Sequence, residues 1–159
     1  MADNELNSVI NETNSVIENL GKIFSPLGTQ PYALVLPTVQ GGISRALTRQ
    51  VDEMSEQELK TSITQYIRDN NIKCDLTDDI RVLVNHVYHD MAGMSFISRE
   101  QLFDMDGFEE LDINAWNDIE IIVNGERKKT EFTFLSPENA RDIILRILRR
   151  TKTPFDEVT

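Results

Sequence analysis

The sequence is poor in several residue types, and each shortage excludes something. It has one cysteine, Cys74, in 159 residues, so no internal disulfide can form, and no companion stands at metal-ligand or redox-motif spacing. Apolar residues nowhere run on for the 18 or so positions that a membrane-spanning helix needs. The N-terminus lacks the basic and apolar regions of a signal peptide. These absences point to a cytoplasmic protein. Glycine is sparse at seven residues, and none of them opens a Gly-x-x-x-x-Gly-Lys-Ser/Thr phosphate loop. Gly41-Gly42 lacks the lysine, and Gly93 is followed by Met94-Ser95-Phe96 with no second glycine. Nucleotide hydrolysis needs backbone donors around the phosphates and a lysine that reaches the terminal ones. The chain is therefore read as non-catalytic.

What is present is acidic. The net charge is -11, yet the segment from Arg141 to Lys152 holds Arg141, Arg146, Arg149, Arg150 and Lys152 against Asp142 alone. A surface that is acidic elsewhere repels a nucleic-acid backbone, so no direct nucleic-acid partner is expected. The basic end has two readings that sequence alone does not separate: arginines complementing the dipole of their own helix, or arginines contacting phosphates.

Periodicity gives the elements. Leu6, Val9, Ile10, Ile17 and Leu20 suggest a helix ending before Gly21. A Gly- and Pro-rich connector from Ser25 to Gly42 contains Tyr32 to Leu36, read as a short strand or an extended arm. Ile43, Leu47, Val51 and Met54 mark a helical stripe, with Gly41-Gly42 as a weak cap. Ser55-Glu56-Gln57-Glu58 is a capping box before Leu59, Ile63, Tyr66 and Ile67. A further helix begins at Thr77 and buries Ile80, Leu83, Val84, Val87 and Met91. Beyond Asp106-Gly107 the pattern alternates: Leu111 and Ile113, then Ile119, Ile121 and Val123. Asn124-Gly125 is a hairpin-turn signal, and the returning strand is read through Thr130, Phe132 and Phe134. Ser136-Pro137 starts a last helix carrying Ala140, Ile143, Ile144, Ile147 and Leu148. The residues from Thr151 to Thr159 read as a linker.

Helices first, then an antiparallel meander of about three strands packed with a C-terminal helix, make an α+β fold. Three regions are expected: a helix and extended connector over 1–50, an α+β domain over 51–150, and a linker over 151–159. Asp104, Asp106 and Gly107 resemble a calcium loop, but with Gly107 at the sixth position Leu102 and Ile113 would stand where oxygen ligands are required. His86 and His89 are three apart on a helix, off its apolar stripe and without a third ligand, and are read as solvent-facing; no metal is expected. Trp116 is read as packing over the sheet edge, or as an anchor for a partner.

The stretch from Phe108 to Arg150 resembles the N-terminal domain of type II/type IV secretion ATPases, particularly the pilus-assembly (tight-adherence) branch. In that family an acidic, apolar strand ends in a Val-Asn-Gly-like motif, a second strand and a Gly turn follow, and a helix then ends in basic residues. The resemblance matches Glu110 to Asn114 to the first strand, with Asn114 as the motif asparagine and Ala115 in place of the glycine. Asp118 to Ile121 matches the second strand, Gly125 the turn, and Ser136 to Arg150 the helix leading to the ATPase core. The Gly-x-Gly-Pro-Leu segment of that family is not present before the sheet. The resemblance implies a protein whose core, outside this chain, binds ATP and magnesium and assembles as a hexamer. Its partners would be that core, neighbouring subunits and inner-membrane secretion or pilus components, held peripherally at the membrane. Arg146, Arg149 and Arg150 are the residues it implies at the nucleotide junction. The alternative is a free-standing acidic adaptor or sensory domain that binds a protein or a small ligand.

Overall fold

Ser55 shows how closely local chemistry is obeyed. Its backbone N–H donates to Glu58 Oε2 (2.9 Å) while the Glu58 N–H donates to Ser55 Oγ (3.3 Å), which satisfies donors that a helix start otherwise leaves open. The computed structural model describes residues 28–46 and 53–151. In chain order these form β1 (Thr29–Gln30), α1 (Tyr32–Ala46), α2 (Glu56–Asp69), β2 (Lys73–Cys74), α3 (Ile80–Met91), α4 (Phe96–Arg99), a 3-10 turn (Leu102–Asp104), β3 (Phe108–Ala115), β4 (Asp118–Val123), β5 (Glu126–Lys129) and α5 (Pro137–Thr151). This is an α+β arrangement. The helix read at Leu6 to Leu20 and the stretch after Thr151 lie outside the described residues. No helix among the described residues is long and apolar enough to cross a membrane.

The stretch Tyr32 to Leu36 is not a strand or an extended arm: it opens α1. Val35, Leu36, Val39 and Ile43 fall on one face of that helix and are at most 2% exposed, so packing against α2 and α3 overrides the local Gly and Pro content. Pro37 stands inside the helix, where it has no N–H to donate to the Ala33 carbonyl. Gly41-Gly42 is likewise no cap. It lies inside α1, where a Cβ on Gly42 would stand 2.1 Å from Cζ of Tyr66. Glycine there admits the aromatic ring of α2. Ile43 thus belongs to α1, and residues 47–52 of the expected stripe are outside the described residues.

The sheet has the order β3-β4-β5, antiparallel throughout. Asn124 and Gly125 both have positive φ (52° and 75°), the combination that lets a two-residue turn follow the twist of its strands. That turn pairs Val123 with Glu126 and Glu120 with Lys129. Pairing therefore falls on 126–129, not on the Thr130–Phe134 strand expected from alternation. Residues 130–134 leave the ladder and cross back over the start of β4. The Thr130 N–H donates to Ile119 O (3.0 Å) and that of Phe134 to Trp116 O (2.8 Å). This crossing sets Phe132 and Phe134 against Phe96, with ring centroids 5.1 and 5.0 Å apart. Burial of two aromatic rings outweighs two more ladder pairs.

Two apolar clusters result. One joins α1, α2 and α3; the other joins Phe96, Leu102, Ile119, Phe134, Ala140 and Ile143. In the first cluster α1 packs with α2 and α3.

Candidate functional site

The two clusters meet at the C-terminal end of α3, where helix carbonyls run out of intrahelical partners. Arginines of α5 supply them. Arg146 Nη1 donates to Gly93 O (2.8 Å) and Asp90 O (3.2 Å), and Arg150 Nη2 donates to Ala92 O (2.6 Å). Sequence offered these cations to the dipole of their own helix or to phosphate; the structure gives two of them to the negative end of a different helix. Arg149 is exposed. It joins Arg146 and Arg150 on a cleft of about 340 Å³ whose other walls are Met54, Leu59, Tyr88 and Ala92.

A polar cluster lies on the neighbouring face of α3. His86 and His89 are half-buried, not solvent-facing. The periodicity correctly sets them off the first apolar cluster, but α4 folds over that face. His86 Nδ1 lies 3.0 Å from Arg99 Nη1, and His89 Nδ1 lies 2.8 Å from Ser98 Oγ. Arginine can only donate, so His86 Nδ1 is the acceptor and the ring is neutral. Burial pushes both imidazoles below their usual range, with Arg99 adding to the effect on His86 and Lys60 to that on His89. The Tyr32 hydroxyl donates to Asp90 Oδ2 (2.6 Å), and burial, followed by the Asp90 charge, raises its pKa far above that of a free phenol. Asp90 itself is 5% exposed, and its Oδ1 has no hydrogen-bond partner among the described residues.

Gly93 makes this joint. A Cβ there would lie 2.7 Å from Ser98 Oγ and 2.9 Å from His89 O, so only glycine lets α4 close on α3. The Ser98 hydroxyl also accepts the Met94 N–H (2.8 Å) and donates to Ser95 O (3.2 Å). Its bonds close the loop between the helices. Sequence reasoning missed Tyr32, Asp90, Ser98 and Arg99; the available signal was a carboxylate inside the Val87–Met91 apolar stripe.

No protein-family model matches the chain, and neither does any curated protein.

The strand and turn residues drawn from the resemblance lie on the sheet. Glu110 and Asn114 are exposed on β3, and Asp118 opens β4 with an ion pair to Lys129 Nζ (2.8 Å). The Gly125 N–H donates to Glu109 Oε1 (2.8 Å). Trp116 occupies the β3–β4 turn at 36% exposure. It borders a groove of about 470 Å³ with Ile113, Asn114, Ala140, Arg141, Ile144 and Leu145. The first half of α5 thus carries the apolar groove, and its second half the arginine cleft.

Proposed function

We propose that this chain is the non-catalytic N-terminal domain of a secretion or pilus-assembly ATPase, coupling nucleotide-driven movement of the core to partner docking and ring assembly. The observation that carries the reading is the order of parts from β3 to α5: an antiparallel meander, a tight Asn-Gly turn, and a serine-led helix ending in Arg149-Arg150. The resemblance places its motif asparagine at Asn114, with Ala115 where the family has glycine, and its turn at Gly125. The positive φ of Asn124 and Gly125 supports a tight turn at that place.

In this reading the cytoplasmic domain rides above a hexameric core that holds ATP and magnesium, and inner-membrane components anchor the assembly. Arg149 is the arginine best suited to meet phosphate at the junction, since Arg146 and Arg150 already hold α3. Two measurements test this. The reading frame should continue past the Thr159 codon into a phosphate loop; a stop codon there removes the ATPase reading. In the full-length protein, Arg149→Ala should lower nucleotide affinity or turnover, and unchanged values remove the junction role.

A second reading, a free-standing adaptor, has one observation in its favour. Phe103, Met105 and Trp116 are 53%, 41% and 36% exposed, more large apolar surface than the two cores require. A downstream stop codon together with specific capture of a protein partner would establish it.

A further inference from the structure

The three-stranded sheet has two edges, and they are built differently. β5 is short, exposed along its whole length and carries Arg127-Lys128-Lys129, the charged form in which proteins protect an edge from further pairing. β3, at the other edge, has eight residues and neither lysine nor arginine. The register assigns its free backbone groups. The Thr130 N–H donates to Ile119 O, so the backbone of Ile119 points towards β5, and by alternation that of Ile121 does too. Their partners across the ladder, Ile113 and Leu111, therefore turn their N–H and C=O groups away from β4. Those groups have no hydrogen-bond partner among the described residues. The same edge borders the groove of about 470 Å³, which β3 and Trp116 wall on one side and Ala140, Ile144 and Leu145 of α5 on the other. We propose that β3 is the receiving edge for an extended segment of a partner protein, which adds as a fourth strand with its apolar side chains in the groove against α5 and its alternate, basic side chains beside Glu110 and Asp112.

Each feature of this occupant follows from the edge it meets. An added strand completes the backbone pairing of Leu111 and Ile113, and a groove beside an edge strand is a geometry that receives extended peptides. Successive side chains of such a strand alternate between the two faces of the sheet. On the inner face they extend the row of Leu111 and Ile113, which pack on the second apolar cluster, towards Trp116 and Ile144. On the outer face they meet negative charge, because Glu110, Asp112, Asp118 and Glu120 outnumber Arg127 and Lys129 there. Arg127 is shared by Asp112 and Glu120, Lys129 pairs with Asp118, and Glu110 has no ion-pair partner among the described residues. Opposite charges on neighbouring strands stabilise a pair and like charges oppose it, so lysine or arginine is favoured at these positions. The same rule disfavours a second copy: antiparallel pairing of β3 with β3 sets these acids against each other, and the cations of β5 are already held within their own chain. The proposal does not rest on the ATPase reading, because every receiving residue belongs to this chain.

The test uses the 159-residue chain and the end-capped synthetic peptide Val-Lys-Val-Lys-Val-Lys-Val. One control peptide carries glutamate in place of lysine. A second is N-methylated at its valines, which removes the N–H groups that would reach the carbonyls of Leu111 and Ile113. Hydrogen exchange followed by NMR reads the Leu111 and Ile113 amides, and the fluorescence of Trp116, the one tryptophan, reads the groove. The lysine peptide should slow exchange at both amides several-fold and shift Trp116 emission to the blue, and both control peptides should bind several-fold more weakly. Glu110→Lys changes an exposed side chain outside both cores. It should weaken binding of the lysine peptide and strengthen that of the glutamate peptide. The proposal is overturned if the two amides ignore the lysine peptide, if the N-methylated peptide binds equally well, or if Glu110→Lys changes neither affinity. Amides already protected in the chain alone also overturn it, with dilution telling a second copy on the edge from another segment of the same chain. A negative result here leaves the downstream reading-frame test unaffected.

Discussion

Replacing Gly93 with alanine should destabilise the protein, and the structure gives both the size of the effect and its cause. The added methyl would lie 2.7 Å from Ser98 Oγ, 2.9 Å from His89 O and 3.0 Å from His89 Cα. Two of these three atoms belong to the backbone of α3, so rotating a side chain cannot relieve the contact. Either α4 lifts away or the end of α3 distorts. Overpacking of this kind costs about 1–3 kcal/mol. If Ser98 is displaced, its bonds to Met94 and His89 weaken as well, at roughly 1 kcal/mol each. Acting against this, alanine restricts the unfolded chain, which stabilises by about 0.4–1 kcal/mol. The net expectation is a loss of about 2 kcal/mol. At roughly 2–4 °C per kcal/mol for a chain of this size, Tm should fall by several degrees. Urea denaturation followed by far-UV circular dichroism measures the loss directly. Gly93→Ala/Ser98→Ala should recover only part of it, because the contacts with His89 remain. A Gly93→Ala protein within about 0.5 kcal/mol of the parent would refute the argument that this glycine makes the α3–α4 joint.

Three further expectations follow from the same geometry. The adjacent glycines of α1 should separate: at Gly41 the nearest atom to an added Cβ is Arg45 Nη2 at 3.9 Å, so Gly41→Ala should stabilise by about 0.5–1 kcal/mol, whereas Gly42→Ala, which meets the Tyr66 ring, should be less stable than Gly41→Ala by at least about 1 kcal/mol; equal denaturation midpoints would contradict this. Arg146→Ala removes charge-assisted bonds to Asp90 O and Gly93 O and should cost about 2 kcal/mol, with Arg146→Lys recovering little because an ammonium does not reproduce the planar fork; thermal denaturation of both variants reads this out. His86 and His89 have folded-state pKa values below the ordinary 6.5, so their contribution is complete above that value and is lost as pH falls through the depressed ones. Tm should therefore decline between pH 7.5 and 5, and His86→Gln/His89→Gln should flatten the decline; a parent Tm that is level over this range would remove the buried-imidazole account.

Much of the architecture is legible without coordinates because it follows from interactions between near neighbours in the chain. The capping box at Ser55 and Glu58 depends on residues three apart, and the structure reproduces both hydrogen bonds. The Asn124-Gly125 turn depends on two backbone conformations, and both have the positive φ the dipeptide implies. The apolar stripes of α2, α3 and α5 are likewise contained in their own periods, and their order fixes the α+β class.

Other features were decided by the tertiary structure, because the deciding atom lay far along the chain. Tyr32 to Leu36 reads locally as extended. It becomes helical because Val35, Leu36 and Val39 find α2 and α3. Gly42 looks like punctuation until Tyr66, 24 positions later, turns out to need its surface. Phe132 and Phe134 alternate like a strand, yet Phe96 draws them out of the ladder. The histidines of α3 face water on a helical wheel, which cannot include the cover that α4 provides. The arginines of α5 were the plainest sequence signal, a cationic end on an acidic chain. The sequence determined that they were there; only the tertiary structure decided that Arg146 and Arg150 close the end of α3 and that Arg149 is exposed beside them. Charge is a property of the residue, but its partner depends on which helix end arrives within about 3 Å, and that is settled by packing.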